Sequence, residues 1–300
     1  MSEKFILPSY GKINWFLKIG ETRSDGYHEI ESLMQKIAFG DEIEVSLEER
    51  ERDYITCNFP IPTGEDGVLS RLLVELRKIA PPLREVGFNI KIKKSIPPGS
   101  GLGGGSSNVA SILQLINSVF KLNLDWEEVK SIAVRIGSDI PFFARGAPFA
   151  WVRGRGEEVE PLFFAPHRFL VLLFPPFSIS TAWAYRYWEE RKGRIKENKK
   201  AGLSLEEFLK AKNPELIEEI IWNDFEEVVF QCFPDLNFYK RLLMELGCKK
   251  VFMSGSGSTL VGVVESKEEG ERIVKEISSP DVKAILTSTI WEAKEEGANQ

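Results

Sequence analysis

A glycine-rich segment between Pro97 and Asn108 is the part of the sequence best suited to chemistry. It holds five glycines in twelve residues, between a predicted strand and a predicted helix. Glycines let backbone N–H groups approach an anion closely, and a helix that starts there adds unpaired donors and the positive end of its dipole. A flexible turn is the alternative, but so much glycine between two patterned elements costs conformational entropy. We therefore predict a phosphate-binding loop, whose residues are Pro97, Pro98, Gly99, Ser100, Gly101, Leu102, Gly103, Gly104, Gly105, Ser106 and Ser107.

Two common phosphate loops do not fit this segment. Gly99, Gly101 and Gly104 satisfy the G-x-G-x-x-G spacing of dinucleotide-binding folds. That fingerprint follows a buried parallel strand, whereas the strand predicted here, Phe88–Lys93, alternates apolar residues with polar ones and is separated from the loop by a proline pair. No Gly-Lys-Ser or Gly-Lys-Thr follows, so the loop is not a Walker A loop either.

Two lysines stand where they could meet a nucleotide. Lys12 lies in a short apolar strand, where a lysine costs free energy unless it is paired. It either pairs with an acidic group and a phosphate or points to water at the edge of the sheet. Asn14 follows two residues later on the same strand face and is placed to hydrogen-bond the same groups. Lys94 precedes the glycine loop and is predicted to reach the nucleotide, with a solvated surface lysine as the alternative.

Asp139 is a candidate proton acceptor. Phosphoryl transfer to an alcohol requires a group that aligns the hydroxyl and takes its proton. Aspartates close to a proline, as Asp139 is to Pro141, are also common in turns and helix caps. From the residues alone, the turn is the favoured interpretation.

A pair of rings in a predicted turn is suited to base recognition. Tyr27 and His28, one of two histidines in the chain, are predicted to form an exposed pair that could stack on a base and hydrogen-bond its edge. A single histidine is more often structural. Tyr185 could join them, although Trp183 and Trp188 nearby make helix packing an equal alternative.

Hydrophobic periodicity predicts the elements that must position these residues. Strands are predicted over residues 5–60 and 147–174, and mainly helices over residues 182–247. The individual predictions are helix Val68–Ile79, a helix beginning near Ser106 or Ser107, a helix capped by Asp125 and Glu128, strand Lys250–Met253, strand Leu260–Val264, helix Glu268–Ile277 and strand Val282–Ile290. This order predicts an α+β fold with two lobes.

Composition excludes several classes of protein. The 300 residues carry a net charge of −6, which argues against non-specific binding to nucleic acid. The longest apolar runs, such as Phe169–Phe174, are too short to cross a membrane, and the first residues lack a signal-peptide pattern, so a cytoplasmic location is expected. Three distant cysteines indicate neither a disulfide framework nor a zinc site. The charged stretch Arg191–Lys200 is predicted to be a solvated loop.

Three segments in order resemble the motifs of the GHMP kinases, the superfamily of galactokinase, homoserine kinase and mevalonate kinase. They are Gly11–Asn14, the glycine loop and Ser254–Thr259. The resemblance spans nearly the whole chain. It implies a two-lobed GHMP kinase fold, with an ATP-binding N-terminal ribosomal-S5-like α/β lobe over residues 1–170 and a C-terminal ferredoxin-like lobe over residues 171–300.

Within the superfamily, the chain is most similar to the branch whose alcohol substrate carries a cytidine diphosphate. The similar segments are Lys12–Asn14, Asp25–Glu29, Gly101–Asn108, Gly137–Phe143 and Ser180–Tyr185. The resemblance implies that Lys12 and Asp139 form the catalytic pair, which reverses the preference for a turn aspartate. It also implies a substrate site, whose predicted residues are Asn14, Tyr27, His28, Thr181 and Tyr185.

Two positions depart from the family pattern. Tyr10-Gly11 stands where Pro-Ala is usual, and Gly11 is expected to leave Lys12 in place but to loosen its strand. Ser100 replaces a common glycine, and its short side chain is predicted to point outward.

The resemblance therefore implies an ATP-dependent kinase that phosphorylates the 2-hydroxyl of 4-diphosphocytidyl-2-C-methyl-D-erythritol, in the non-mevalonate route to isoprenoid precursors. The alternatives are a homoserine-type or mevalonate-type relative, or a GHMP-fold protein that binds without catalysis. The partner expected is this small-molecule cytidine diphosphate, with neither nucleic acid nor a membrane. ATP chemistry implies Mg²⁺, but no carboxylate pair marks its ligands, and a hydroxyl of Ser106 or Ser107 is a possible one.

Overall fold

Two β-sheets organise the chain in the computed structural model. The structure describes residues 4–48, 52–64, 66–192, 203–277 and 281–292. Most of the predicted solvated loop, residues 193–200, lies outside these ranges. Within them, no helix is long and apolar enough to cross a bilayer.

A long antiparallel hairpin forms the centre of the first sheet. Its strands β1 (Lys4–Thr22) and β2 (His28–Glu48) fall within the strand region expected of residues 5–60. Strand β1 is longer than the short strand predicted around Lys12, and the pairing of the two strands shifts register at three irregularities. The sheet order is β3-β4-β2-β1-β8, with β5 paired to β2 and β6 to β5. The other members are β3 (Tyr54–Cys57), β4 (Gly87–Lys93), β5 (Phe149–Arg153), β6 (Glu158–Pro161) and β8 (Trp222–Asn223).

Four helices pack with this sheet. They are α1 (Val68–Ile79), α2 (Gly104–Val119), α3 (Trp126–Ile136) and α4 (Ile140–Ala144). Helix α1 has the predicted bounds, and α2 buries Val109, Ile112, Leu113 and Ile116. Helix α2 begins two residues before the predicted start near Ser106, because Gly103 caps the helix in a left-handed conformation (φ 69°) that glycine adopts without steric cost.

The second sheet is antiparallel throughout, in the order β11-β7-β10-β9. Its strands are β7 (Phe169–Phe174), β9 (Lys250–Met253), β10 (Leu260–Val264) and β11 (Lys283–Ser288). The helices of this half are α5 (Thr181–Glu189), α6 (Leu205–Ala211), α7 (Asp224–Cys232), α8 (Asp235–Glu245) and α9 (Lys267–Ile277). The predicted bounds of β9 and β10 are confirmed, and so is the α+β class.

The two sheets share contacts that bring distant segments together. The short strand β8, which the sequence did not predict, runs parallel to β1 and pairs Leu17 with Asn223. The rings of Trp15 and Phe252 lie 5.3 Å apart in a common apolar core. The first glycine-rich segment and the Ser254–Thr259 segment therefore lie close to each other. The division of the chain after residue 170 stays a prediction.

Helix α3 offers a test of local stability. Its predicted capping box is confirmed: the Asp125 carboxylate accepts the Glu128 N–H, and the Glu128 carboxylate accepts the Asp125 N–H, each at 2.9 Å. We expect Asp125→Ala to lower the free energy of unfolding in urea by about 1 kcal/mol. Glu127→Ala is the control, because Glu127 lies in the same turn without a capping bond. Equal losses in the two variants would contradict a capping role.

Candidate active site

A cavity of about 420 Å³ lies between the glycine loop, β1 and the start of α5. It brings together predicted residues that are up to 173 positions apart, from Lys12 to Tyr185. Those in its lining are Lys12, Asn14, Lys94, Pro97, Pro98, Gly99, Ser100, Gly101, Gly103, Gly104, Gly105, Ser106, Asp139, Thr181 and Tyr185. The other four predicted residues, Tyr27, His28, Leu102 and Ser107, are not part of this lining.

The Lys12 ammonium is buried at the floor of the cavity. Its side chain is 4% exposed, so the alternative of an edge lysine in water is wrong. The Nζ atom donates to Asn14 Oδ1 at 2.7 Å, as expected for neighbours on one strand face. Asn14 Nδ2 donates in turn to Ser32 Oγ at 2.8 Å, and Ser32 Oγ to the Phe16 carbonyl at 2.7 Å. This chain fixes the amide oxygen toward Lys12.

Asp139 faces Lys12 rather than its own helix. Its Oδ2 lies 3.6 Å from Lys12 Nζ, and its side chain is 31% exposed. Asp139 occupies the N-cap position of α4, but its carboxylate makes no capping hydrogen bond. The carboxylate is therefore available to a ligand in the cavity, which the turn interpretation did not require.

The glycine loop packs backbone to backbone against Ser254–Thr259. Gly99, Gly101 and Gly103 have positive φ angles of 68°, 78° and 69°. A Cβ on Gly101 would clash with the carbonyl oxygen of Ser254, whose hydroxyl donates to the Gly101 carbonyl at 3.1 Å. Ser100 is buried and its carbonyl accepts the Thr259 N–H at 3.3 Å, so the prediction that it points outward was wrong.

The loop is also tied to the strand that carries Lys12. The Leu102 carbonyl accepts the Lys12 N–H at 2.9 Å, while the Leu102 side chain is buried in the core and not in the cavity. Strand pairing shifts register between Tyr10 and Lys12, at Gly11. A Cβ on Gly11 would lie 3.0 Å from the Ile96 side chain and 3.3 Å from the Leu102 carbonyl. Gly11 thus sits in tight packing at an irregularity that turns the Lys12 N–H toward the loop.

Lys94 is held by a buried carboxylate. Its Nζ donates to Asp41 Oδ2 at 2.5 Å and to Asn108 Oδ1 at 3.3 Å, so the alternative of a solvated lysine is wrong. Asp41 is fully buried, and its Oδ1 accepts the N–H groups of Ser95 and Ile96 at 2.8 and 2.9 Å. Asp41 therefore fixes the segment that leads into the glycine loop. Sequence reasoning missed it, because nothing local distinguishes it from the other acids of its strand.

Ser107 belongs to the same buried network. Its Oγ accepts a hydrogen bond from Ser9 Oγ at 2.8 Å, and Ser9 Oγ accepts one from Asn108 Nδ2 at 2.8 Å. The Ser107 hydroxyl thus ties α2 to β1. Of the two hydroxyls considered as metal ligands, only that of Ser106 lies in the cavity lining.

Asn223 was also missed. Its Nδ2 donates to the carbonyls of Met253 and Gly255 at 2.7 and 2.8 Å, and its Oδ1 accepts the Phe225 N–H at 3.0 Å. It thereby joins β8 and α7 to the Ser254–Thr259 segment. A Cβ on Gly255 would lie 3.3 Å from Lys12 Nζ, so this segment closes over the ammonium. The only sequence signal for Asn223 is its place in an Asn-Asp pair ahead of a helix.

The predicted base site is partly assembled. The rings of His28 and Tyr185 stack at 5.1 Å between centroids, and Tyr185 meets Phe225 edge to face at 4.9 Å. Burial first, and the charge of Asp139 second, raise the pKa of the Tyr185 phenol. The Tyr27 ring is 48% exposed with the Arg155 guanidinium 4.4 Å above it, whereas the His28 side chain is 10% exposed. The expectation of an exposed pair therefore holds for Tyr27 and was wrong for His28.

Thr181 links this base site to the loops. Its Oγ1 lies 2.9 Å from Ser256 Oγ, and it opens helix α5, which also carries Tyr185.

Comparison with known proteins now places the chain. Residues 68–147 match the GHMP kinases N terminal domain, and residues 205–283 match the GHMP kinases C terminal domain. A 4-diphosphocytidyl-2-C-methyl-D-erythritol kinase of Thermodesulfovibrio yellowstonii is 34% identical over 89% of this chain and 92% of its own length. The chain belongs to the GHMP kinases, in the 4-diphosphocytidyl-2-C-methyl-D-erythritol kinase family.

Other similar proteins support the same family assignment. The enzyme of that name from Desulfitobacterium hafniense is 36% identical over 88% of this chain and 89% of its own. A crystal structure of a 4-(cytidine 5'-diphospho)-2C-methyl-D-erythritol kinase superposes with a TM-score of 0.77 at 27% identity, covering 95% of this chain and 99% of that one. Mevalonate kinase of L. major has a TM-score of 0.67 at 16% identity over 96% of both chains, which shows a shared fold alone. The predicted family and two-lobed GHMP kinase fold are confirmed.

Two alanine substitutions within the glycine loop distinguish the contact of Gly101 with Ser254 from a general effect of replacing a loop glycine. We expect Gly101→Ala to lower the unfolding temperature and to weaken ATP binding, because the new Cβ would push the loop away from Ser254 and occupy an unfavourable φ. Gly105→Ala is the control: it lies in the first turn of α2, and a Cβ there meets nothing within 4 Å.

Calorimetry and ATP titration of both variants test this expectation. Gly105→Ala should keep or raise the unfolding temperature, since alanine is the better helix former. If the Gly101→Ala protein is as stable as the Gly105→Ala protein, the close packing of the glycine loop against Ser254–Thr259 does not contribute to stability.

Proposed function

We propose that this protein transfers the γ-phosphoryl group of ATP to the 2-hydroxyl of 4-diphosphocytidyl-2-C-methyl-D-erythritol, in the non-mevalonate route to isoprenoid precursors. The observation that carries the proposal is the meeting of Lys12, Asp139 and the glycine loop in one cavity, in a chain whose relatives bear this enzyme's name. Phosphoryl transfer depends mainly on positioning and on charge stabilisation, and these residues supply both.

The glycine loop and the start of α2 are proposed to hold the ATP phosphates. Gly103 caps α2, so the first N–H groups of that helix have no partner within it. The loop backbone and the helix dipole favour an anion at this position. A phosphate between them and Lys12 would place the buried ammonium against the oxygens on which charge builds up during transfer.

Asp139 is proposed to orient the substrate hydroxyl and to accept its proton. Its partial exposure leaves one side of the carboxylate open to the cavity, while its other side faces Lys12 Nζ at 3.6 Å. Asn14 keeps that Nζ in place through its 2.7 Å hydrogen bond. The hydroxyl would thus approach the phosphorus between a proton acceptor and a fixed positive charge.

Mg²⁺ is proposed to accompany ATP. Magnesium prefers oxygen ligands and usually takes one or two from the protein and the rest from phosphates and water. The Ser106 hydroxyl is an oxygen donor of the cavity lining and fits this requirement. When bound, the ion would neutralise charge on the phosphates.

Base recognition is proposed to fall to Tyr27, His28 and Tyr185. Tyr185 lines the cavity and His28 stacks on it, so a cytosine beside Tyr185 would also meet the edge of the imidazole. Tyr27, fixed under Arg155, offers a second exposed ring.

The proton-acceptor role predicts the effect of one isosteric change. We expect Asp139→Asn to fold and to bind ATP but to lower kcat by about 100-fold or more, because the amide cannot take the proton. Asp66→Asn is the control, since Asp66 is another carboxylate of the cavity lining. Steady-state kinetics and ATP titration of both variants provide the measurement. Turnover of Asp139→Asn close to that of the unchanged enzyme would leave Asp139 as a turn residue.

The base site predicts a selective effect on one substrate. We expect Tyr185→Ala to raise KM for the cytidine substrate about tenfold or more, because stacking a base on an aromatic ring contributes about 1–3 kcal/mol. KM for ATP should change little. Tyr187→Ala is the matched control, since Tyr187 lies on the same helix but stacks on Trp183 instead. Normal use of the cytidine substrate by Tyr185→Ala would exclude this ring from the base site.

A further inference from the structure

The His28 ring is fixed on three sides. It stacks on Tyr185, meets Trp188 edge to face at 5.6 Å, and places its Nε2 2.9 Å from Glu189 Oε2. Glu189 and Tyr185 lie four residues apart on α5, hence on the same helix face. The helix that supplies the stacking ring therefore also supplies the group that holds the imidazole.

The Glu189 carboxylate is held in its ionised form. Its Oε1 pairs with Lys192 Nζ at 2.8 Å, and its Oε2 accepts from Thr22 Oγ1 at 3.3 Å. Hydrogen bonds from Lys192 first and from His28 second hold the pKa of Glu189 below its usual value. An ionised carboxylate only accepts hydrogen bonds, so the proton shared with His28 must reside on Nε2.

The proton on Nε2 determines whether the other ring nitrogen, Nδ1, donates or accepts a hydrogen bond. In a neutral imidazole, a proton on Nε2 leaves Nδ1 as an acceptor. Among the residues that the structure describes, none donates to or accepts from His28 Nδ1. The free acceptor is thus available to a ligand that brings a donor.

We propose that Glu189 is a positioning residue that sets the tautomer of His28, so that Nδ1 accepts a hydrogen bond from the exocyclic amino group of cytosine and rejects uracil. This inference rests on the proposed function, because it presumes a pyrimidine beside Tyr185. Cytosine presents an amino donor at C4, whereas uracil presents a carbonyl acceptor there. Two facing acceptors cannot form a hydrogen bond, and a buried polar group left unpaired is costly.

Nitrogen spectroscopy tests the tautomer without activity. The chain has two histidines, His28 and His167, so long-range ¹H–¹⁵N spectra of the full-length enzyme, assigned with a His167→Gln variant, resolve both rings. We expect His28 in the Nε2–H form. In Glu189→Gln, Lys192 should retain the amide oxygen and turn the amide NH₂ toward Nε2, which moves the ring proton to Nδ1. A His28 ring protonated on Nδ1 in the unchanged enzyme would overturn the proposal.

Substrate competition tests the consequence. We expect Glu189→Gln to lower the ratio of kcat/KM for the cytidine substrate over its uridine analogue about tenfold or more, because the new Nδ1–H suits the uracil carbonyl. KM for ATP should stay unchanged. Glu190→Gln is the control, since Glu190 is the exposed C-cap residue of the same helix. An unchanged ratio in Glu189→Gln would overturn the proposal.

The two measurements separate this proposal from the proposed function. If the unchanged enzyme phosphorylates neither the cytidine nor the uridine compound, the proposed function fails, even when the spectra show the expected tautomer. If the enzyme uses the cytidine compound and Glu189→Gln keeps its preference, the proposed function stands and the role of Glu189 is refuted.

Discussion

The incomplete compensation of a buried charge is the constraint on which the site depends. Lys12 and Lys94 are both buried lysines next to the glycine loop. Burying a charge costs several kcal/mol unless a partner offsets it. Lys94 has such a partner in Asp41, at 2.5 Å. Lys12 has a neutral amide oxygen at 2.7 Å and the Asp139 carboxylate at 3.6 Å within the described residues, so much of its charge remains for a ligand. An anion bound in the cavity would offset the remaining free-energy cost of burying the Lys12 ammonium.

The need to bring an anion to Lys12 explains why backbone, rather than side chains, surrounds it. Gly101 and Gly255 both have positive φ angles. A side chain on Gly101 would meet the Ser254 carbonyl oxygen, and one on Gly255 would meet the Lys12 ammonium. Backbone N–H groups point at a phosphate without adding bulk or mobile charge. Two glycine-rich segments that are far apart in the sequence can therefore close on one buried lysine. Asn223 and Ser254 hold the second segment in position through hydrogen bonds to the backbone.

The features that the sequence predicted depend on local signals. Helix α1, strands β9 and β10 and the capping box at Asp125 follow from periodicity or from contacts within four residues. The features that it missed depend on long-range pairing. Asn223 acts on residues 30 and 32 positions away and pairs with Leu17, and Asp41 reaches Lys94 across 53 positions. No periodicity marks such residues, because their partners are set by the register of the sheets. The two-residue difference at the start of α2 has another reason, since a left-handed Gly103 lets the helix begin inside the loop.

Helix α5 connects the proposed base site with the second glycine-rich segment, Ser254–Thr259. Thr181, Tyr185 and Glu189 recur every four residues and thus form one stripe along the helix. Thr181 contacts Ser256 of the second glycine segment, Tyr185 borders the cavity near Asp139, and Glu189 holds His28. A helix moves as a unit more readily than it deforms, so the helix sets the relative positions of these three contacts. The stripe therefore joins His28, which is proposed to read the base, to the loop that covers Lys12, so the proposed recognition of the base and the closure of the site rest on one helix face.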